Sequence, residues 1–167
     1  DGESIADGSY LELVKQQTEY FFGLEPYKSH REYFNVYVTF SLSQEKGVNT
    51  MYTYVNNRFG TLYGVDDQCS YNKLLIEADE VYDYALNHSP LGEDRINESL
   101  VVLVPNCADY SGNTVYAVNG WEPYGMTISI CPPSNRPYPE DTRGVIQHEA
   151  GGHGFGKLAD EEITYPD

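Results

Sequence analysis

His148-Glu149-Ala150-Gly151-Gly152-His153, running on as Gly154-Phe155-Gly156-Lys157-Leu158-Ala159-Asp160-Glu161, is the stretch on which the reading of this chain turns. Two histidines bracket a glutamate, and a carboxylate pair follows within a short turn. Two imidazoles, an acidic third ligand and a carboxylate left over to take a proton from water make up the donor set of a hydrolytic zinc site. The common helical spacing is H-E-x-x-H, with the histidines at i and i+4. Here they stand at i and i+5.

At about 100° per residue, positions i and i+4 differ by roughly 40° around a helix, so both rings face one point. At i+5 the difference is roughly 140°, too wide for one metal on a regular α-helix. A single π-type turn takes up one extra residue and returns i and i+5 to the same face. Gly151 and Gly152 stand where that turn is needed. Each costs an ordinary helix about 1 kcal/mol relative to alanine, yet glycine suits a widened turn and a close backbone approach. The expectation is a π-type bulge at Gly151-Gly152, with the carbonyl it frees satisfied by water or a neighbouring side chain. The same H-E-x-x-x-H spacing occurs in a zinc dipeptidyl-peptidase family.

The run from Val145 through His148-Glu149-Ala150-Gly151-Gly152-His153 to Leu158-Ala159-Asp160-Glu161 resembles the active-site helix and turn of the IgA-peptidase-like metallopeptidases, whose members commonly read H-E-x-G-H-x-x-x-x-L-x-D-E-Y. Upstream, Tyr33-Phe34-Asn35-Val36-Tyr37-Val38 resembles the family's first core strand. Asn57-Arg58-Phe59-Gly60-Thr61 resembles its N-T-R-F-G-T segment, and Ser99-Leu100-Val101-Val102-Leu103-Val104-Pro105-Asn106 the strand before its substrate cleft. Glu162 stands where the family usually has tyrosine.

The resemblance implies an α/β (α+β) fold of the zincin/metzincin-like type, a twisted mixed sheet with a backing helix and an active-site helix. It implies His148 and His153 as zinc ligands, Glu149 as the general base and Asp160 as the third ligand, with Glu161 as the runner-up. In the related metzincin pattern the third ligand lies six residues after the second histidine, with a glycine midway for a sharp turn. Gly156 fills that glycine position, but Ala159 stands at position six and cannot ligate, so Asp160 and Glu161 remain alternatives. Family members continue past the motif. The expectation is therefore a single catalytic domain over residues 1–167 that lacks the C-terminal part of the family's domain.

The chain has 167 residues, enough for one domain with a sizeable core. Acidic residues number 26 against 10 basic ones, a formal net charge of −16 with no basic patch. That balance argues against nucleic acid and anionic membrane surfaces as partners, and reads chiefly as solubility. Ca²⁺ binding near Asp66-Asp67 or Asp160-Glu161-Glu162 is a weaker reading, with no EF-hand-like loop to support it. No apolar stretch approaches the roughly 18 residues of a membrane span. A chain opening at Asp1 reads as a processed or trimmed product, expected to be secreted, periplasmic or at the cell surface. Cys69, Cys107 and Cys131 are too few and too odd in number for a closed disulfide framework; Cys107 and Cys131 either pair or stay as buried thiols.

Along the chain, Leu11, Val14, Tyr20 and Phe21 predict a helix over 8–22. Alternation predicts a strand over 33–42. Residues 51–63 read as a short strand with turns. Leu74, Leu75, Ala78, Val81, Tyr82 and Ala85 predict an amphipathic helix over 70–87. Residues 99–104, 113–118 and 126–131 read as strands, and Glu140 or Asp141 opens the last helix. His30 and His88 have no metal-spaced partner and read as surface or turn residues.

Together these readings point to a zinc-dependent peptidase acting on protein or peptide substrates, with Glu149 taking the proton from water and passing it to the leaving amine. Residues Thr114, Val115, Tyr116 and Ala117 are the candidate edge strand along which an extended substrate would lie. Tyr165, the nearest downstream phenol, is the candidate second oxyanion donor. The competing readings are a zincin-derived cell-surface binding module that does not cut, and an inactive fragment of a longer peptidase. Glu149 speaks against the first, because a non-cutting relative has no need of it.

Overall fold

The computed structural model describes residues 2–65, 72–90, 95, 98–107, 111–116 and 126–160. The short α1 (Gly2–Ala6) buries no residue, whereas apolar side chains spaced three and four apart draw α2 (Ser9–Phe21) into a helix. Asp7 Oδ1 accepts from the Ser9 N–H at 2.8 Å, where α2 begins. The buried Gln17 amide of α2 donates to the Cys131 carbonyl at 3.0 Å and fastens the helix across the molecule.

The strands form two three-stranded mixed sheets among the described residues, where the sequence suggests one. In the first, β1 (Asn49–Thr50) runs parallel to β2 (Leu62–Val65), which is antiparallel to β3 (Asn72–Leu75). In the second, the order is β4 (Leu100–Leu103), β6 (Thr127–Ile130), β5 (Asn113–Tyr116). β4 is parallel to β6, and β5 is antiparallel to it. The two sheets meet where the Leu74 N–H donates to Ser111 Oγ at 3.2 Å.

Side chains alternate across a strand, so the second sheet has two distinct faces. Leu100 and Val102 join a core of Phe21, Phe22, Tyr27, Cys131, Val145, Ile146 and Ala150. Val101 and Leu103 join Phe59, Val81, Met126 and Ile128 under α3 (Ala78–His88). α4 (Thr142–Ile146) opens with Asp141 Oδ1 accepting from the Gly144 N–H at 2.7 Å. It runs directly into a π helix, Gln147–Phe155, which lies on the first face of the sheet. Among the described residues no helix is long and apolar enough to cross a membrane.

Two elements differ from the sequence reading. Of the expected strand 33–42, Tyr33 ends a 3₁₀ turn (Arg31–Tyr33) and residues 34–42 pair with no strand among the described residues, leaving Val36, Tyr37, Val38, Phe40 and Leu42 exposed. Alternation marks a segment suited to a pleated surface, but a strand also needs an edge to pair with. Residues 72–75 are strand, and the helix starts only at Ala78. Pairing of Leu75 with Leu62 and Leu74 with Tyr63 overrides the helical spacing, and Leu74 ends fully buried. Cys107 and Cys131 do not form a disulfide; Cys131 is a buried thiol whose pKa is pushed well up by burial. His30 and His88 are exposed, and the Nδ1 of each pairs with a backbone carbonyl one turn back.

The π helix approaches the sheet closely at Gly154. A Cβ there would lie 2.5 Å from Ser129 Oγ and 2.6 Å from Leu100 Cδ1, whereas one at Gly152 would find nothing nearer than 3.9 Å. Gly154→Ala should therefore lower stability by about 1–3 kcal/mol through overpacking. Gly152→Ala should leave stability level or raise it by up to about 1 kcal/mol. Urea denaturation of both variants checks the contrast, and equal midpoints would refute the close approach.

Candidate metal centre

The π helix sets the histidine geometry. The Gly156 N–H donates to the Gly151 carbonyl at 3.0 Å, a five-residue bond that widens the turn. On that wider helix His148 and His153 share a face, with their Nε2 atoms 3.1 Å apart and their rings nearly perpendicular. The chain then reverses through Lys157, whose φ of 53° is left-handed. Gly156, the expected turn glycine, has φ −71° and stays right-handed. The reversal is held by the Leu158 N–H donating to the Gly152 carbonyl at 3.1 Å.

The same turn orients a ring. His153 Nδ1 lies 2.8 Å from the Leu158 carbonyl. A carbonyl only accepts, so Nδ1 carries the proton and Nε2 keeps its lone pair, the arrangement that metal-binding histidines use. Asp160 follows on the same turn, and one ligand atom each from His148, His153 and Asp160 all lie within 4.8 Å of one another. A tetrahedral ion with donors at about 2.1 Å separates them by about 3.4 Å. The histidine pair is already inside that spacing, and the exposed Asp160 is within reach of it. Two imidazoles and a carboxylate suit Zn²⁺.

The sheet grips this helix through hydroxyls. In the antiparallel register Thr114 stands opposite Ser129 and Tyr116 opposite Thr127, so all four side chains share the face beneath the π helix. Ser129 Oγ donates to the Glu149 carbonyl at 3.0 Å, and Thr127 Oγ1 to the Gly154 carbonyl at 2.8 Å. The Tyr116 phenol reaches the His153 carbonyl at 3.3 Å. From the opposite side the Tyr27 phenol donates to the Gly151 carbonyl in a short bond.

Glu149 points into this interface and is 9% exposed. Its Oε2 accepts from Thr114 Oγ1 at 2.9 Å, and its other oxygen lies over Gly112. Burial pushes its carboxyl up from its ordinary value, opposed by the Thr114 hydroxyl and the two imidazoles, with Asp160 adding to the upward push.

The structure thus brings together His148, Glu149, His153 and Asp160, with Thr114 and Tyr116 from β5. Thr114 faces the helix, Val115 stands opposite Ile128 on the other face, and Tyr116 is partly exposed. β5 is an edge of its sheet among the described residues. Ala117, Glu161 and Tyr165 lie outside the described residues. Of the glycine pair, Gly151 is tight against Tyr27 at 3.2 Å, whereas Gly152 has room to spare. Gly112, Ser129, Thr127 and Tyr27 carry no motif. The one legible sign is in Met126-Thr127-Ile128-Ser129-Ile130, where hydroxyls alternate with apolar residues in a wholly buried strand and so need partners on one face.

Thr127→Val keeps the shape of a fully buried side chain and removes the donor to the Gly154 carbonyl. It should cost about 1–3 kcal/mol of stability, as buried groups left without a partner do. Chemical denaturation reads this directly, and an unchanged midpoint would mean that the carbonyl finds another donor.

No curated protein matches the chain in sequence. A family model described as IgA Peptidase M64 matches residues 5–165, which takes in every element from α2 to the π helix, both sheets and the histidine cluster. With nearly the whole sequence matched, the chain belongs to the IgA Peptidase M64 family.

Proposed function

We propose that this chain is a zinc-dependent peptidase in which His148, His153 and Asp160 hold the ion and Glu149 is the general base. The observation that carries the reading is the convergence of the two imidazoles and Asp160 within 4.8 Å, with the buried Glu149 carboxylate one residue along from His148. Membership of a peptidase family supports the reaction class. A bound Zn²⁺ supplies Lewis acidity, which makes water a competent nucleophile near neutral pH and polarises a carbonyl.

The chain's own residues do the rest. Glu149 accepts the proton of the attacking water on a carboxylate oxygen and returns it to the amide nitrogen as the C–N bond breaks. Removal from water strengthens Glu149 as a base, which suits that task. The Leu158 carbonyl keeps His153 Nδ1 protonated, so Nε2 stays available as a ligand.

The substrate in this reading is an extended peptide lying along the outer edge of β5, beside Thr114, Val115 and Tyr116. Backbone hydrogen bonds there favour extended chains with little regard to side chain. Tyr165 is the proposed second oxyanion donor, and the proposed setting is outside the cytoplasm.

Purified protein should carry about one Zn²⁺ per chain, as a single site of this donor set does, and His148→Ala or His153→Ala should remove it. Glu149→Gln should retain zinc and lose peptide cleavage, because an amide cannot take up the proton. Elemental analysis with a proteolysis assay on unstructured protein checks both. Well-folded protein that binds no transition metal would defeat the site, and cleavage unaltered in Glu149→Gln would defeat the mechanism.

A further inference from the structure

The Glu149 carboxylate is held from two sides by one short piece of chain. Thr114 Oγ1 lies 2.9 Å from Glu149 Oε2, 3.0 Å from the Glu149 carbonyl and 2.9 Å from Ser129 Oγ. Only one proton is available on each hydroxyl. Ser129 Oγ is itself 3.0 Å from the Glu149 carbonyl and can satisfy it, which leaves the Thr114 proton for the carboxylate. A charged acceptor draws that proton more strongly than a neutral carbonyl.

The other side is bare backbone. An ideal Cβ on Gly112 would sit 2.6 Å from Glu149 Oε1, 2.7 Å from its Cγ and 3.0 Å from its Cδ. These three nearest atoms all belong to the Glu149 side chain. The backbone at Gly112 is not left-handed, so alanine fits its conformation without strain. Adding a methyl group there displaces the carboxylate and leaves the main chain where it is.

We propose that Gly112 and Thr114 form a seat that fixes the Glu149 carboxylate, and that both are positioning residues for the general base. The inference rests on the peptidase reading above for its functional meaning. Geometrically it needs only the seat. A buried carboxylate with one oxygen bonded and the other packed over a glycine has a single favoured rotamer, and a base held in one geometry acts without first being ordered.

The test uses Gly112→Ala, Thr114→Val and Thr114→Ser, with wild type and Glu149→Gln alongside. Zinc content should stay near wild type in all three, since none of the changes touches a ligand, and KM for a peptide substrate should hold because the proposed substrate edge of β5 grips through backbone groups while the Thr114 side chain faces the helix. In Gly112→Ala and Thr114→Val kcat should fall about 10²-fold, the lower end of what a positioned general base contributes. Thr114→Ser should recover most of that loss, because it restores the donor.

A second readout is independent of turnover. Crystals of metal-free Gly112→Ala should show the Glu149 carboxylate moved off the Thr114 hydroxyl with the strand backbone unchanged. A carboxylate left in place, or wild-type kcat in both Gly112→Ala and Thr114→Val, overturns the seat. Wild type and Glu149→Gln cleaving equally would instead overturn the peptidase mechanism, while the crystallographic comparison still decides whether the seat exists.

Discussion

The hydroxyl face of the second sheet is the constraint on which the centre of this molecule depends. Ser129 and Thr127 are fully buried, and each spends its proton on a carbonyl of the π helix. Those bonds, with the Tyr27 phenol on the far side, fix the helix in height and rotation against β6. A π helix is a poor structure in isolation, since it is rare and survives mostly as short insertions at functional sites. Here the sheet supplies donors at the spacing that the wider helix presents. The shared face of His148 and His153 is therefore a property of helix and sheet together.

Much of the centre could be read from the sequence because its chemistry is local. His148, Glu149 and His153 are separated by steps that one helical turn can test, and five-residue spacing leads directly to a widened turn. The rest depends on partners distant in sequence. Thr114 and Ser129 are apolar-strand residues by position, and come to hold the Glu149 carboxylate and the helix only when the register sets them opposite each other. Gly154 looks no different from its neighbours until the sheet is beneath it. The same limit explains residues 72–75, where two leucines fit a helix or a strand and the pairing with β2 decides. It explains Lys157 too, because the left-handed residue falls one position past the glycine that looked suited to it.

The turn after the helix links structure to ligand chemistry in a second way. Leu158 uses its N–H to close the helix and its carbonyl to hold His153. The ring that faces the site is thereby tied to the chain that delivers Asp160. A left-handed, non-glycine Lys157 carries local strain of about 1–3 kcal/mol of the kind found where surroundings over-determine the backbone. Its ammonium lies over the Tyr116 ring at 5.3 Å, so the turn is also braced against β5.

Strand β5 divides its labour by direction. Thr114 and Tyr116 send side chains up to the helix, and Gly112, of the same parity, lies beneath Glu149. The backbone amides and carbonyls of the strand lie in the plane of the sheet, at right angles to those side chains. What the outer edge of β5 offers a neighbour is therefore groups that every residue possesses. A mutation at Val115 changes the opposite face and leaves both the in-plane groups and the Glu149 seat as they were. Such a strand is evolvable: its tastes can drift through neighbouring loops and the far face while the residues that hold the acid group stay fixed.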